Sequence, residues 1–375
     1  MNMRTIGIIT IHKVNNYGSV LQAYALQRVL EDVGFKVEII DYDFPNAYHD
    51  NNQYKSVDDT KVNEPKWIKM LYALSILLQH RGIRLFVQKY HHLSKNRYSN
   101  PDSLICNPPH YDIYITGSDQ VWNPRFCNGD PAFMLHFAPD SAKKISYASS
   151  IGASNIPDSL LVTYQHYLSR YHSIAVREHT SVETIHRLLG KEPVVVLDPT
   201  LLLDKNQWNA IASSKKLIKS RYILCYFLNY TFNAFPYVDE LTTDLQRQTG
   251  YEVVWVARPP HKMHLRHIHY KVGASPEEFL ALIRDAEMVL TTSFHGTAFA
   301  LNYGKPLFTI VSEYETSDSR QVSLMRSLGL EKQILTVKDA YPEAFRAYYD
   351  MENTQRLMNQ LRFSSMSYLK SSVNG

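Results

Sequence analysis

The side chain best placed to move a proton is His295. It lies in the run Met288-Val289-Leu290-Thr291-Thr292-Ser293-Phe294-His295-Gly296-Thr297-Ala298-Phe299-Ala300-Leu301, followed by Asn302-Tyr303-Gly304-Lys305-Pro306 and the apolar run Leu307-Phe308-Thr309-Ile310-Val311. An apolar run, a small-residue turn, a compact helix, a Gly-Lys-Pro stop and a second apolar run spell one βαβ unit. His295 falls where the first strand gives way to the helix. Ligands collect at that edge of a parallel sheet, and a helix N-terminus there offers N–H groups to an anion. An imidazole beside such an anion can hand it a proton. Capping or packing is the alternative that these residues alone leave open.

A second candidate is Arg177, directly after the apolar run Ser173-Ile174-Ala175-Val176 and just before a helix. Its planar fork suits a carboxylate or a phosphate, and an ion pair with Glu178 or Glu183 is the alternative. A third is Gly117-Ser118-Asp119-Gln120-Val121-Trp122-Asn123, which follows the strand-like Tyr111-Asp112-Ile113-Tyr114-Ile115-Thr116. Ser118, Asp119, Gln120 and Asn123 are hydroxyl-binding types, and Trp122 is a flat apolar plate of the kind that a sugar ring face needs. A polar turn with a core tryptophan is the alternative. Near the N-terminus, Asn15, Asn16, Tyr17 and Gly18 sit where the first strand, Thr5-Ile6-Gly7-Ile8-Ile9-Thr10, should end. The loop lacks the three-glycine spacing of a dinucleotide fingerprint.

The elements that must hold these groups alternate strand and helix. After the N-terminal loop, Ser19 can cap a helix with apolar positions Leu21, Ala25, Leu26, Val29, Leu30 and Val33, and Gly34 closes it. Residues 45–109 break the rhythm and read as a helical insertion on the first domain. Its basic, aromatic helix is of a type that can touch a membrane surface or a lipid carrier, although a merely solvated helix is the simpler reading. Ser275-Pro276-Glu277-Glu278 has the form of a capping box. The expected fold class is α/β, with two Rossmann-like domains. Their expected bounds are 1–204, a linker at 205–220, 221–345, and a terminal helix in 346–375 that packs back.

Composition sets outer limits. With 375 residues, two cores are expected. A hydrophobic fraction of 45% with 20% charged residues excludes wholesale disorder. The net charge of +4 is too small to argue for a nucleic-acid partner but suits anionic substrates. Cys106, Cys127 and Cys225 are odd in number and far apart, which indicates neither a disulfide framework nor a zinc site. The cluster His261, His264, His267 and His269 lacks a coordinating carboxylate or thiolate, so no metal is expected there. No apolar run approaches the ~20 residues of a bilayer span. The expected location is cytoplasmic, with any membrane contact peripheral and at the inner face.

Taken in order, these pieces resemble the polysaccharide pyruvyl transferase family. The matching stretches are Asn16-Tyr17-Gly18 through Leu26, Gly117 to Asn123, Ser146-Tyr147-Ala148-Ser149-Ser150, and Val176-Arg177-Glu178 with Ser181. They continue with Leu197-Asp198-Pro199-Thr200 and Ser293-Phe294-His295-Gly296 with Gly304-Lys305-Pro306. The resemblance implies a GT-B-like arrangement with the site in the interdomain cleft, and phosphoenolpyruvate as donor with no separate cofactor. It implies a sugar acceptor, usually on a lipid or nucleotide carrier, whose two neighbouring hydroxyls become a cyclic pyruvate ketal in surface or capsular polysaccharide. It assigns an essential acid to His295 and donor binding to Arg177.

Many members carry Arg where this chain has Ser293. Arg320 is the expected replacement and Lys305 the second candidate, with Ser293, Phe294, Gly296 and Thr297 completing the donor side. The acceptor side is expected at Asn16, Tyr17, Gly18, Ser118, Asp119, Gln120, Trp122 and Asn123. Two rival readings are a GT-B glycosyltransferase that uses a nucleotide sugar, and a non-catalytic sugar-binding protein whose donor site is degenerate at Ser293.

Overall fold

A computed structural model describes residues 3–43, 66–153, 155–228, 232–257, 268–313 and 319–375. Two compact units emerge, each built on its own parallel sheet. The first comprises Met1–Asn51, Val87–Leu203 and Asn359–Gly375, and the second comprises Asn52–Phe86 and Asp204–Met358.

In the first unit, strands β1 (Thr5–Ile9), β2 (Lys36–Tyr42), β3 (Leu93–Tyr98), β4 (Ile113–Thr116) and β5 (Lys143–Ser146) lie in the order β3-β2-β1-β4-β5. All neighbouring pairs are parallel, with Ile6 opposite both Val37 and Ile113. Parallel strands covered on both faces need continuous apolar runs, and Ile6, Ile8, Ile9, Ile113 and Ile115 are buried accordingly. A short parallel pair, β6 (Ala175–Val176) and β7 (Val194–Val195), stands beside this sheet. The chain reverses from β1 to β2 through helix Tyr17–Val33. Asn16 caps it with a side chain that accepts from the Gly18 and Ser19 amides, and Gly34 at φ 106° ends it.

In the second unit, β8 (Tyr222–Tyr226), β9 (Glu252–Val256), β10 (Ile268–Lys271), β11 (Met288–Thr291), β12 (Leu307–Val311) and β13 (Ile334–Thr336) lie in the order β10-β9-β8-β11-β12-β13, again all parallel. Each sheet therefore has a point where the winding reverses, between β1 and β4 in the first unit and between β8 and β11 in the second. Open α/β sheets form ligand crevices at the carboxyl ends of the strands flanking such a point.

Two boundaries differ from the sequence reading, and the terminal helix packs back as that reading expected. The 45–109 stretch is not a helical insertion on the first domain. It contains strand β3, and residues 66–86 of helix Lys66–Tyr90 group with the second unit. The stretch 205–220 is not merely a linker. Asp204 and Gln207 form a capping box on helix Lys205–Asn209, whose Trp208 is buried edge-on against Phe299 at 5.0 Å. Helix Met351–Asn374 gives its second half to the first unit, where Ser365 Oγ accepts from the Leu197 amide and the Tyr368 hydroxyl donates to the Ser146 carbonyl.

Candidate functional site

In the first unit the groups predicted at separate places converge on the β1–β4 crevice. The turn after β4 bends at Asp119, which adopts φ 75°, a left-handed conformation uncommon for a non-glycine residue and often retained at functional sites. Both of its carboxylate oxygens are held. Oδ2 accepts from the Ser19 hydroxyl at 2.5 Å, and Oδ1 accepts from the Gln120 amide at 2.9 Å. Ser19 therefore spends its hydroxyl on Asp119, and the helix cap expected of it falls to Asn16. Arg177 stands beside this carboxylate, with Nη2 3.7 Å from Asp119 Oδ1, while its Nη1 donates to Asp198 Oδ2 at 2.8 Å. Asp198 Oδ2 also accepts from Ser118 Oγ at 2.8 Å, and its Oδ1 caps the Thr200 amide and hydroxyl.

Two expectations about this unit are corrected here. The Arg177 side chain is only 1% exposed and its charge is met by two carboxylates, so it positions Asp119 and Asp198 rather than gripping a donor anion. Burial alone would make its proton easier to lose, but Asp198, Asp119 and Glu178 outweigh that and hold the guanidinium firmly charged. Trp122 is likewise no sugar platform. It is 1% exposed, donates its indole N–H to the Phe133 carbonyl and stands edge-on to Tyr171 at 5.9 Å, inside the core. Tyr17 is buried too. Asn123 is buried as a brace, donating to Gln120 Oε1 at 2.7 Å and to the Gly152 carbonyl at 3.3 Å. Asn16 and Gln120 remain partly open to solvent, and Gly18 lies buried in the first helical turn.

In the second unit, β11 ends at Thr291 and helix Phe294–Asn302 starts after the Ser293 cap, whose hydroxyl accepts from the Gly296 amide at 3.3 Å. His295 is the second helical residue, nearly buried and edge-on to Phe294 at 5.2 Å. The junction is rigidly tied. The Thr291 hydroxyl donates to the Tyr226 carbonyl at 2.6 Å and accepts from the Ser293 amide at 3.0 Å. A β-carbon on Gly296 would stand 2.3 Å from that hydroxyl, which is why this turn carries glycine. Thr297 is turned inward, bonding the Ser293 carbonyl and Thr309.

Arg320 belongs to the same edge. It opens helix Ser319–Ser327, and its neighbour Gln321 donates to the Thr292 carbonyl at 2.8 Å, which fixes that helix to the strand-to-helix junction. Lys305 is corrected. It follows the C-terminal end of the His295 helix, bonded through its amide to the Ala300 carbonyl, and it enters β12 at the opposite edge of the sheet, near Glu287 and Asp285. Desolvation there lowers its affinity for its proton.

Two further groupings join residues that the sequence reading had not brought together. Glu178 gathers Ser150 Oγ at 3.0 Å, the Gly152 amide at 3.2 Å and the Ser181 hydroxyl, a buried knot under the Arg177 loop. At the end of β2, Asp41 accepts from Lys13 and lies 3.3 Å from His12 Nε2, and Lys13 also reaches Asp43 at 2.6 Å. The polar residues spaced through 12–19 were the available signal for the second grouping. Of the histidine cluster, His261, His264 and His267 lie outside the described residues, and His269 pairs with Glu252 at 3.0 Å.

Two doubly wound α/β units with polar clusters at their winding reversals define the GT-B class of fold. Solved structures agree: a protein described as a UDP-N-acetylglucosamine 2-epimerase from Listeria monocytogenes superposes with TM-score 0.56 at 9% identity, covering 96% of this chain and 91% of its own. UGT89C1 of Arabidopsis thaliana, complexed with UDP-L-rhamnose, does so with TM-score 0.50 at 11% identity, covering 98% of each chain. At such identities the likeness concerns the fold. A search of the curated proteins finds no match. The sequence profile of the polysaccharide pyruvyl transferase family matches residues 16–314, and the chain belongs to that family of enzymes.

Proposed function

We propose that the protein transfers the pyruvate unit of phosphoenolpyruvate onto two neighbouring hydroxyls of a sugar, galactose on a lipid or nucleotide carrier, to form a cyclic ketal. The observation that carries the reading is His295 at the start of a helix on the reversal point of the second sheet, with the Arg320 helix bonded to the same junction. Phosphoenolpyruvate brings a phosphate and a carboxylate, and helix N–H groups and a guanidinium are the groups that bind such anions.

His295 serves as the acid that protonates the methylene carbon. The resulting oxocarbenium-like carbon is attacked by the first sugar hydroxyl, whose proton is taken up by the leaving phosphate. Phosphate then leaves with its electron pair, and the second hydroxyl closes the ketal as its proton returns to His295. Arg320 supplies positive charge on the donor side, where Ser293 has none to give. Within the first unit, Arg177 holds Asp119 and Asp198 in place. The product belongs to surface or capsular polysaccharide synthesis, with the chemistry on the cytoplasmic side.

The test is incubation with phosphoenolpyruvate and lipid-linked galactosides, following phosphate release and acceptor mass together. Both must change, the acceptor gaining one pyruvate less one water. Consumption of a nucleotide sugar instead would replace this reading with glycosyl transfer, and saturable sugar binding without turnover would replace it with a binding protein.

A further inference from the structure

Helix Lys66–Tyr90 is amphipathic in the wrong sense for a helix packed on a protein. Its inward face carries Ser75, Gln79, Ile83 and Phe86. The opposite face carries Trp67, Met70, Leu74, Leu77 and Leu85, with Trp67 52%, Met70 72% and Leu77 67% exposed. At 100° per residue these five fall within one stripe running the length of the helix.

The orientation is fixed by backbone contacts. The Ser75 hydroxyl accepts from the Gly273 amide at 3.0 Å. A β-carbon on Gly273 would stand 2.2 Å from Leu78 Cβ, and one on Gly82 would stand 3.0 Å from Ser275 Cα. Rolling the helix to bury its leucines would break all three contacts.

Charge selects among coverings for this face. The helix KWIKMLYALSILLQHRGIRLFVQKY has no acidic residue, while Lys66, Lys69, Arg81, Arg84 and Lys89 are basic. Arg81 lies within the apolar stripe, and Lys66 and Arg84 border it. An apolar face with a tryptophan at one end, on a helix whose charged residues are all cations, matches the surface of an anionic bilayer. No described helix is long and apolar enough to cross a membrane. We propose that this helix lies in the plane of an anionic phospholipid surface, with Trp67, Met70, Leu74 and Leu77 in the acyl boundary and Arg81 and Arg84 among the headgroups.

The full chain is mixed with vesicles of phosphatidylcholine alone, or of phosphatidylcholine with an equal part of phosphatidylglycerol, and sedimented. Binding is expected to the anionic vesicles only and to weaken as salt rises from ~0.1 to ~0.5 M, as screening shortens. Of the four tryptophans, Trp122, Trp208 and Trp255 are at most 1% exposed, so a blue shift of emission on binding reports Trp67, and Trp67→Phe should abolish it. Leu77→Glu should weaken partition at least about tenfold, because a charge then enters the acyl boundary. Arg81→Glu with Arg84→Glu should erase the preference for anionic lipid.

The proposal fails if the parent ignores anionic vesicles, or if Leu77→Glu binds them like the parent. It fails equally if light scattering shows a dimer that Leu77→Glu dissociates, which would assign the face to a second copy. Vesicle binding is read without turnover, so neither its success nor its failure bears on pyruvyl transfer.

Discussion

The proposed transfer requires an acid held against a doubly anionic donor, and His295, at the second unit's reversal point, has the chemistry to serve as that acid. His295→Ala should lower turnover by about 10²- to 10⁴-fold, the usual contribution of a positioned acid, while donor affinity changes little. Initial-rate kinetics check this, and near-normal turnover would take the role of acid away from His295. Arg320→Ala should act on the other parameter. Loss of the proposed charge-assisted contact to the donor is expected to raise its KM about tenfold or more with kcat largely kept. Arg177 calls for a different experiment, because its guanidinium is buried between Asp198 and Asp119. Arg177→Ala leaves those carboxylates without their cation and should cost about 3–5 kcal/mol of stability, measured by denaturant unfolding. A variant as stable as the parent but with a raised donor KM would restore Arg177 to the donor site.

Elements decide which of the candidate side chains reach solvent. Trp122 sits five residues after a turn glycine in a polar heptapeptide, a pattern equally suited to a ligand platform and to a core plug. The structure makes it the plug, and Trp122→Ala should cost about 3–5 kcal/mol in thermal or denaturant unfolding. The strand-to-helix junctions were legible in the sequence because apolar runs of the right length end in small or polar turn residues, as at Thr10, Thr116 and Thr291. The capping box at Ser275 and Glu278 was legible for the same local reason. Placement across the chain was not. Sequence spacing cannot tell that Ser19 reaches Asp119, 100 residues away. Nor does it tell that Lys305 follows its helix to the far edge of the sheet. β3 was hidden because Leu93-Ser94-Lys95-Asn96-Arg97-Tyr98 has the polar composition of an edge strand.

For the molecule as a whole, the cluster of His12, Lys13, Asp41 and His91 in the first unit is expected to shape how the fold meets acid. Burial pushes the Asp41 carboxyl up, but hydrogen bonds from His12 and Lys13 and the charge of Lys13 outweigh it and hold the carboxyl at about 2. His91 is buried, donates its Nε2–H to the Val20 carbonyl at 3.1 Å, and is pushed down to about 3 by desolvation, with His12 adding to the effect. Both groups bind protons more readily in the unfolded chain, Asp41 between pH about 4 and 2 and His91 between about 6.5 and 3. Where the unfolded state holds more protons, stability rises with pH. Both contributions are therefore complete above pH about 6.5 and are lost stepwise on acidification. Each proton taken up contributes a slope of about 1.4 kcal/mol per pH unit. Denaturant unfolding followed from pH 7 downward should show stability falling first through the His91 range and then more steeply where the two ranges overlap. His91→Gln should flatten the upper part of that curve, and Asp41→Asn should flatten only the part below pH about 4. An Asp41→Asn curve parallel to the parent's throughout would mean that the His12–Lys13–Asp41 cluster does not set the acid limb.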